Sequence, residues 1–266
     1  MKRWIPFVKS PRTVSVVRLN GVIASGGRGA SLNDAALASV LERAFKRKKP
    51  AAVALLINSP GGSPVQSSLI SERIRRLATE KNIPVYAFVE DVAASGGYWL
   101  ASAADEIWVD PSSIVGSIGV ISSNFGFHEL LGRHGVERRV HTAGKSKSML
   151  DPFQPEKAAD VKRLITLLDD MHKTFIAQIK SRRGDRLSAD KSIFTGDFWL
   201  GQKGVELGLA DGVGHLVPKM KEYFGDDVKL VPYGIKRRFM SRLGVQIFGD
   251  ALMGLEEKAH FARFGL

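Results

Sequence analysis

The stretch AAVALLINSPGGSPVQSSLISERIRRLATEKNIPVYAFV, residues 51–89, contains two apolar runs separated by a glycine-rich turn and an amphipathic segment. Residues 51–57 and 83–89 have the length of strands, whereas apolar residues recur at helical spacing between residues 65 and 81. A buried strand, a loop, a helix and a second buried strand form a βαβ unit, whose two strands are parallel. The stretch therefore predicts an α/β fold.

The same alternation continues on both sides of this unit. Residues 13–23 are typical of a strand, and a helix is predicted from about Leu32. Further along, strands are predicted at residues 106–110 and 136–144, and a long helix from Pro155 to about residue 182. These elements predict a mainly parallel sheet with flanking helices and a long helical arm.

Two regions are predicted along the chain. Residues 1–235 are expected to form a single domain, followed by an amphipathic C-terminal tail at residues 236–266. The tail places apolar residues such as Phe239 and Leu243 among lysines and arginines. Such a tail packs on its own domain, binds another protomer or binds an anionic bilayer, and the sequence favours none of the three.

The composition excludes several classes of function. The chain has 266 residues and no cysteine, so disulfides, thiolate catalysis and cysteine-ligated zinc are excluded. Its six histidines form no metal-binding pattern, so we expect no metal and no cofactor. The net charge of +12 is spread over scattered basic runs without a nucleic-acid-binding motif, so we expect no nucleic-acid partner.

Three loops rich in glycine and serine follow predicted strands: NSPGGS at 58–63, AASGGYW at 93–99 and GSIG at 116–119. A fourth loop, TAGKSK at 142–147, follows the strand predicted at 136–144. Because the carboxyl ends of parallel strands share one edge of a sheet, we expect these loops to meet there. Any one of them is more often a simple turn, but their joint occurrence predicts a functional site.

Ser95 in the second loop is the candidate nucleophile. It stands among alanines and glycines at a strand-to-helix turn, where small neighbours let a carbonyl group approach a hydroxyl group closely. Gly61 or Gly62 in the first loop, and Gly96 after the serine, are candidate N–H donors to an oxyanion.

His141, Lys145 and Lys147 are the candidate bases for this serine. A free lysine, with a pKa of about 10.4, is only about 0.04% neutral at pH 7. Lowering that pKa by about three units requires about 4 kcal/mol, which desolvation in an apolar pocket supplies. The apolar SMLDPF after Lys147 fits such a pocket, and Ser117 is a candidate to hold the amine by a hydrogen bond.

Four segments together resemble the signal peptide peptidase A and SohB-like family of serine peptidases. In order, they are INSPGGSPVQSS, VAASGGYWLASAADEIWVDPSSIVGSIGV, TAGKSKSMLDPF and FTGDFWLGQKGVELGLADGVG. The resemblance covers about residues 13–217 and implies a Clp protease/crotonase-like fold. It also implies that Ser95 is the nucleophile and Lys147, the last residue of the AGxxK motif, is the general base.

The resemblance implies the short, single-repeat type of this family, which assembles into homo-oligomeric rings. The N-terminal membrane anchor of common members has no counterpart here, so we expect a cytoplasmic protein with at most peripheral contact to the inner membrane. The expected activity is endopeptidase cleavage of extended apolar peptides, such as remnant signal peptides or membrane-derived segments. A crotonase-type acyl-CoA enzyme and a catalytically silent ring scaffold remain open as alternatives.

Overall fold

The computed structural model describes residues 11–26, 31–144, 146–234 and 258–266. The chain divides into two compact units. The first unit comprises Met1–Ile118 and Gln178–Leu266, and the second comprises Gly119–Ala177.

An eight-stranded sheet forms the centre of the first unit. Its strands are β1 (Thr13–Asn20), β2 (Ala52–Ser59), β3 (Val85–Ala94), β4 (Glu106–Val109), β5 (Ile114–Gly116), β6 (Phe198–Leu200), β7 (Gly212–Val213) and β8 (Lys229–Tyr233). The strand order is β6-β5-β3-β2-β1-β8, and β4 pairs with both β3 and β7. All pairs are parallel except β5 with β6. The predicted α/β fold with a mainly parallel sheet is confirmed.

Seven α-helices accompany these strands in the described parts of the chain. They are α1 (Asp34–Lys46), α2 (Pro64–Lys81), α3 (Gly96–Ala101), α4 (His128–Arg133), α5 (Ala158–Arg183), α6 (Gly201–Glu206) and α7 (Leu216–Phe224). The predicted long helix is confirmed as α5, although it begins three residues after Pro155. Residues 258–262 are also helical.

Helices cover both faces of the sheet, as the alternation along β1 shows. Ser15 is fully buried, and its hydroxyl group donates to the carbonyl oxygen of Ala44 in α1 at 2.7 Å. Its neighbours Val14 and Val16 point to the opposite face, where they share a cluster with Met220 of α7. The sheet of the first unit is therefore covered by helices on both faces.

Helix α2 begins and ends at residues that the sequence marks clearly. The Ser63 hydroxyl group accepts a hydrogen bond from the Gln66 N–H at 3.4 Å, and Pro64 occupies the first turn. At the other end, Asn82 adopts the left-handed conformation, with φ of 50°. These caps fix the start of α2 directly after the glycine pair of the first loop.

The second unit contains α4 and most of α5, joined by irregular segments. The strand predicted at residues 136–144 is wrong, because this segment forms no strand pairing. Its arginines and valines are largely exposed, and Arg138 lies 4.6 Å from the centre of the Phe153 ring. The Phe127 and Phe153 rings lie 5.7 Å apart, so Arg138 contacts one member of an aromatic pair instead of taking part in a strand ladder. Of the predicted tail, residues 236–257 lie outside the described residues.

A buried ion pair fixes the C-terminal end of α5 in the first unit. The Arg183 side chain is 1% exposed and makes two hydrogen bonds to the Asp211 carboxylate, at 2.7 and 3.2 Å. Burial acts to raise the pKa of Asp211, but hydrogen bonds from Arg183 and the Ile107 N–H, with the charges of Arg183 and Arg186, together outweigh it and lower that pKa. The ionised carboxylate therefore stabilises the fold above its unfolded pKa, and this contribution is lost as the pH falls through the folded pKa.

Replacing Asp211 with alanine is expected to lower the free energy of unfolding by about 3–5 kcal/mol, because Arg183 would stay buried without its counter-charge. Urea unfolding at pH 7 measures this change. The exposed Asp185 lies two residues from Arg183 and supplies the control, since Asp185→Ala is expected to change stability by less than about 0.5 kcal/mol. Equal effects of the two substitutions would contradict the prediction.

Candidate active site

Ser95 occupies a sharp turn between β3 and α3. Its backbone has φ of 52° and ψ of −123°, a conformation that costs energy for any residue with a side chain. Its N–H donates to the Gly116 carbonyl oxygen at 2.9 Å, and its carbonyl oxygen accepts from the Trp99 N–H at 3.0 Å. The strained turn therefore holds the half-buried Ser95 between the end of β5 and the first turn of α3.

The glycines around Ser95 allow backbone segments to pack directly against it. A Cβ atom at Gly61, where φ is 105°, would lie 2.8 Å from the Ser95 Cβ. A Cβ atom at Gly96 would lie 2.4 Å from the Ser67 hydroxyl oxygen. Both distances are shorter than real contacts of this kind, so the small residues around Ser95 are a requirement of close packing.

The N–H groups of the candidate oxyanion hole differ in their existing partners. The Gly61 N–H donates to the Ser59 hydroxyl oxygen at 3.3 Å. No hydrogen bond within the described residues has the Gly62 or Gly96 N–H as donor. Gly62 and Gly96 therefore have N–H groups available for a ligand, whereas Gly61 mainly provides space beside Ser95.

Ser117 lies at the end of the neighbouring strand. Ala94 of β3 pairs with Gly116 of β5, so Ser95 and Ser117 each follow one member of this pair. Ser117 also has a positive φ, 52°, and its N–H donates to the Asp197 carbonyl oxygen at 2.6 Å. Three of the four predicted loops thus meet in the first unit, as the sequence predicts.

Lys147 belongs to the second unit. It lies in a turn at residues 146–150, where its N–H donates to the Gly144 carbonyl oxygen at 3.1 Å. The side chains of Lys147 and His141 are exposed, and Lys145 lies outside the described residues. The apolar segment after Lys147 is only partly buried, with Phe153 38% exposed, so it does not form the closed pocket that the sequence suggests.

Neither a metal centre nor a membrane span is evident in the part of the chain that the structure describes. No three histidine, aspartate or glutamate side chains there are grouped as a metal ion would require. None of the described helices combines the length and the apolar character needed to cross a bilayer.

The model of peptidase family S49 matches residues 78–222, which include Ser95, Ser117 and Lys147. The chain belongs to peptidase family S49. A Synechocystis member named as a protease is 33% identical over 79% of this chain and 73% of its own length. A Haemophilus influenzae protein named as a SohB protease is 33% identical over 75% of this chain and 56% of its own length. The resemblance to the signal peptide peptidase A and SohB-like family is confirmed.

A second kind of relative matches this S49 chain along its whole length. A Brucella melitensis protein named Na⁺/H⁺ antiporter NhaA is 49% identical over 100% of this chain. The match covers 39% of the Brucella protein, so the chain spans about two fifths of the length of that relative.

The fold of the S49 chain also has a counterpart among solved structures. A serine-to-alanine mutant of the 1510-N membrane-bound stomatin-specific protease superimposes with a TM-score of 0.51, at 14% sequence identity. The match covers 86% of this chain and 100% of that one. The shared architecture confirms the predicted Clp protease/crotonase-like fold class.

Sequence reasoning missed two buried serines, Ser59 and Ser67, that hold the glycine loops of this S49 site in place. Ser59 is fully buried, and its hydroxyl group bridges the Gly21 carbonyl oxygen and the Gly61 N–H. Ser67, also fully buried, donates to the Ser63 carbonyl oxygen and fills the space beside Gly96. Ser67 lies on the buried face of α2, together with Ile70, Ser71 and Ile74. A polar residue at a helical position predicted to face the core is the sequence feature that could have identified Ser67.

Proposed function

We propose that this chain is a serine endopeptidase in which Ser95 is the nucleophile and Lys147 is the general base. The observation that carries the proposal is the strained turn at Ser95, packed against a glycine loop with N–H groups available at Gly62 and Gly96. The support for Lys147 is its position three residues after Gly144, because the resemblance to the signal peptide peptidase A and SohB-like family implies that the last residue of the AGxxK motif is the base.

The proposed reaction proceeds through an acyl-enzyme. Neutral Lys147 accepts the Ser95 hydroxyl proton while the serine oxygen attacks the peptide carbonyl carbon. N–H groups at Gly62 and Gly96, with Gly61 beside them, stabilise the resulting oxyanion. The intermediate then expels the amine, which takes the proton from the lysine ammonium group.

Deacylation repeats these steps with water as the nucleophile. Lys147, again neutral, takes a proton from water while the water oxygen attacks the ester carbonyl carbon. The second tetrahedral intermediate releases the peptide acid, and the serine oxygen recovers its proton from Lys147. Ser117 is proposed to hold the lysine amine by a hydrogen bond, and the cycle requires neither a metal nor a cofactor.

Proposed substrates are extended apolar peptides, including remnant signal peptides and membrane-derived segments. The names of two relatives, a membrane-bound protease and an antiporter, support a place of action close to a membrane. We propose that the protein is cytoplasmic and makes peripheral contact with the inner membrane. Its net charge of +12 would favour contact with an anionic bilayer. We propose that residues 1–235 form the peptidase domain and that residues 236–266 form an amphipathic tail after it.

Assembly into a homo-oligomeric ring is part of the proposal. Helix α5 exposes Ile165, Leu167 and Met171 to 52%, 37% and 40%, more apolar surface than a solvent-facing helix normally carries. Lys147 and the apolar segment after it are also exposed. Burial of these groups against further copies of the chain would cover the apolar surface and remove Lys147 from water.

A substrate panel distinguishes a peptidase from the acyl-CoA enzyme that the fold class also contains. We expect the purified full chain to hydrolyse fluorogenic peptides with apolar residues around the scissile bond and to leave acyl-CoA thioesters unchanged. Peptide products are measured by fluorescence and free thiols by a colorimetric reagent. Turnover of acyl-CoA without peptide cleavage would favour the crotonase-type alternative, and turnover of neither would favour a silent scaffold.

A further inference from the structure

An apolar face lies immediately beside Ser95, at the edge of the sheet formed by β3, β5 and β6. The register aligns two rows of residues across these strands: Val92, Ile114 and Leu200 in one row, and Ala94, Gly116 and Phe198 in the next. Directly paired residues point to the same side of a sheet, so the side chains of both rows share one face. We call Val92, Ala94, Ile114, Phe198 and Leu200 the Ile114 face. Ala94 immediately precedes Ser95, so this face borders the nucleophile.

The C-terminal residues of the same chain cover part of the Ile114 face. Phe261 and Phe264 pack against Val92, Ala94 and Ile114. The rings of Phe264 and Phe198 meet edge to face, with 5.2 Å between their centres and 76° between their planes. This is the preferred geometry of an aromatic pair, so the face accepts an aromatic side chain in a favourable orientation.

The contact with the C-terminal residues leaves part of the Ile114 face open to solvent. Phe198 and Leu200 remain 48% and 57% exposed, so the face is only partly covered.

We propose that the Ile114 face recognises aromatic residues of peptide substrates, and that residues 258–266 occupy it in competition with them. The inference rests on the proposed peptidase function, because it assigns part of the substrate-binding surface to the site at Ser95. A peptide with two aromatic residues three positions apart, as in the chain's own HFARF sequence, fits the face best. Phe198 is then a specificity-determining residue.

Competition has a measurable consequence for binding. A peptide added to the solution binds only those molecules in which residues 258–266 have left the face. Its apparent Kd therefore exceeds the intrinsic Kd by the inverse of that fraction. Weakening the contact within the chain should strengthen the binding of the added peptide by the same factor.

The test measures binding of a fluorescein-labelled peptide, KAHFARFGL, by fluorescence anisotropy. Every protein is the full chain carrying Ser95→Ala, so that the peptide is not cleaved. We expect the additional double substitution Phe261→Ala/Phe264→Ala to lower the apparent Kd at least tenfold, because it vacates the face. Adding Phe198→Ala to this variant should raise the apparent Kd again at least tenfold.

Leu266→Ala is the matched control, since Leu266 lies in the same segment but is 51% exposed, and it should leave the apparent Kd unchanged. A labelled peptide with both phenylalanines replaced by alanine should not bind. Circular dichroism verifies that all variants are folded. An unchanged Kd in the Phe261→Ala/Phe264→Ala variant, or binding that is insensitive to Phe198→Ala, would overturn the proposal. Because the readout is binding, a failure of the proposed hydrolysis would leave this result unaffected.

Discussion

Replacing Ser95 with alanine is expected to lower the rate of peptide hydrolysis by at least about 10⁴-fold, because the acyl-enzyme can no longer form. Initial rates with a fluorogenic apolar peptide, compared at equal concentrations of folded protein, measure the loss. Labelling with a fluorophosphonate provides a second readout, in which the wild type gains one covalent adduct and the variant gains none.

Two further serine substitutions separate chemistry from folding. Ser95 has φ of 52°, which glycine adopts without strain, so Ser95→Gly should be as inactive as Ser95→Ala while folding at least as well. Ser63 caps α2 close to the same loops, so Ser63→Ala should lose about 1 kcal/mol of stability and retain most of the activity. Activity in Ser95→Ala, together with inactivity of a folded Ser63→Ala, would show that Ser95 is not the nucleophile.

The parts of the fold that the sequence predicts well are those with local periodicity. Strands β2 and β3 are apolar on both faces, and α2 has a serine cap, a proline in its first turn and a helical repeat of buried residues. The meeting of the glycine loops also follows from local signals, because parallel strands place their carboxyl ends at one edge of the sheet.

Features that depend on distant parts of the chain could not be predicted in this way. Strand β6 has only three residues, too few to show the alternation of apolar and polar residues that marks a strand in the sequence. Its antiparallel partner β5 also lies more than 80 positions earlier in the chain. The contact of Phe261 and Phe264 with Val92 joins residues about 170 positions apart. Residues 136–144 show the opposite error, since Val136 and Val140 suggest a strand, but the described residues contain no partner strand for this segment.

The candidate base illustrates the same division between local pattern and tertiary environment. The sequence places Lys147 in a motif, but Lys145 lies two positions away and shares its charge, so periodicity does not separate the two. Lys147 is exposed within its own unit. The residues adjacent to it in sequence therefore do not by themselves provide the apolar surroundings that a lysine base requires. Substitution is therefore the decisive way to assign the base.

Replacing Lys147 with alanine is expected to lower kcat by about 10²–10⁴-fold, the usual contribution of a general base. Lys145→Ala and His141→Ala are the matched controls, because they remove a cation and an imidazole from the same segment, and both should retain most of the activity. Lys147→Arg should be as inactive as Lys147→Ala, since a guanidinium group keeps the positive charge but does not give up its proton.

The pH dependence of kcat/KM distinguishes the two chemical classes of base. A lysine accepts a proton only in its neutral form, so activity should increase toward alkaline pH, whereas an ordinary histidine base would give a rise centred at about pH 6.5. The profile is measured with the wild type and with His141→Ala, which should show the same rise because His141 takes no part in the reaction. Full activity in Lys147→Ala, or loss of activity in a folded His141→Ala, would exclude the Ser95–Lys147 pair. In either case Ser95 would remain assigned as the nucleophile if the serine variants behave as predicted. The serine substitutions test the nucleophile, and the lysine and histidine substitutions test the base separately.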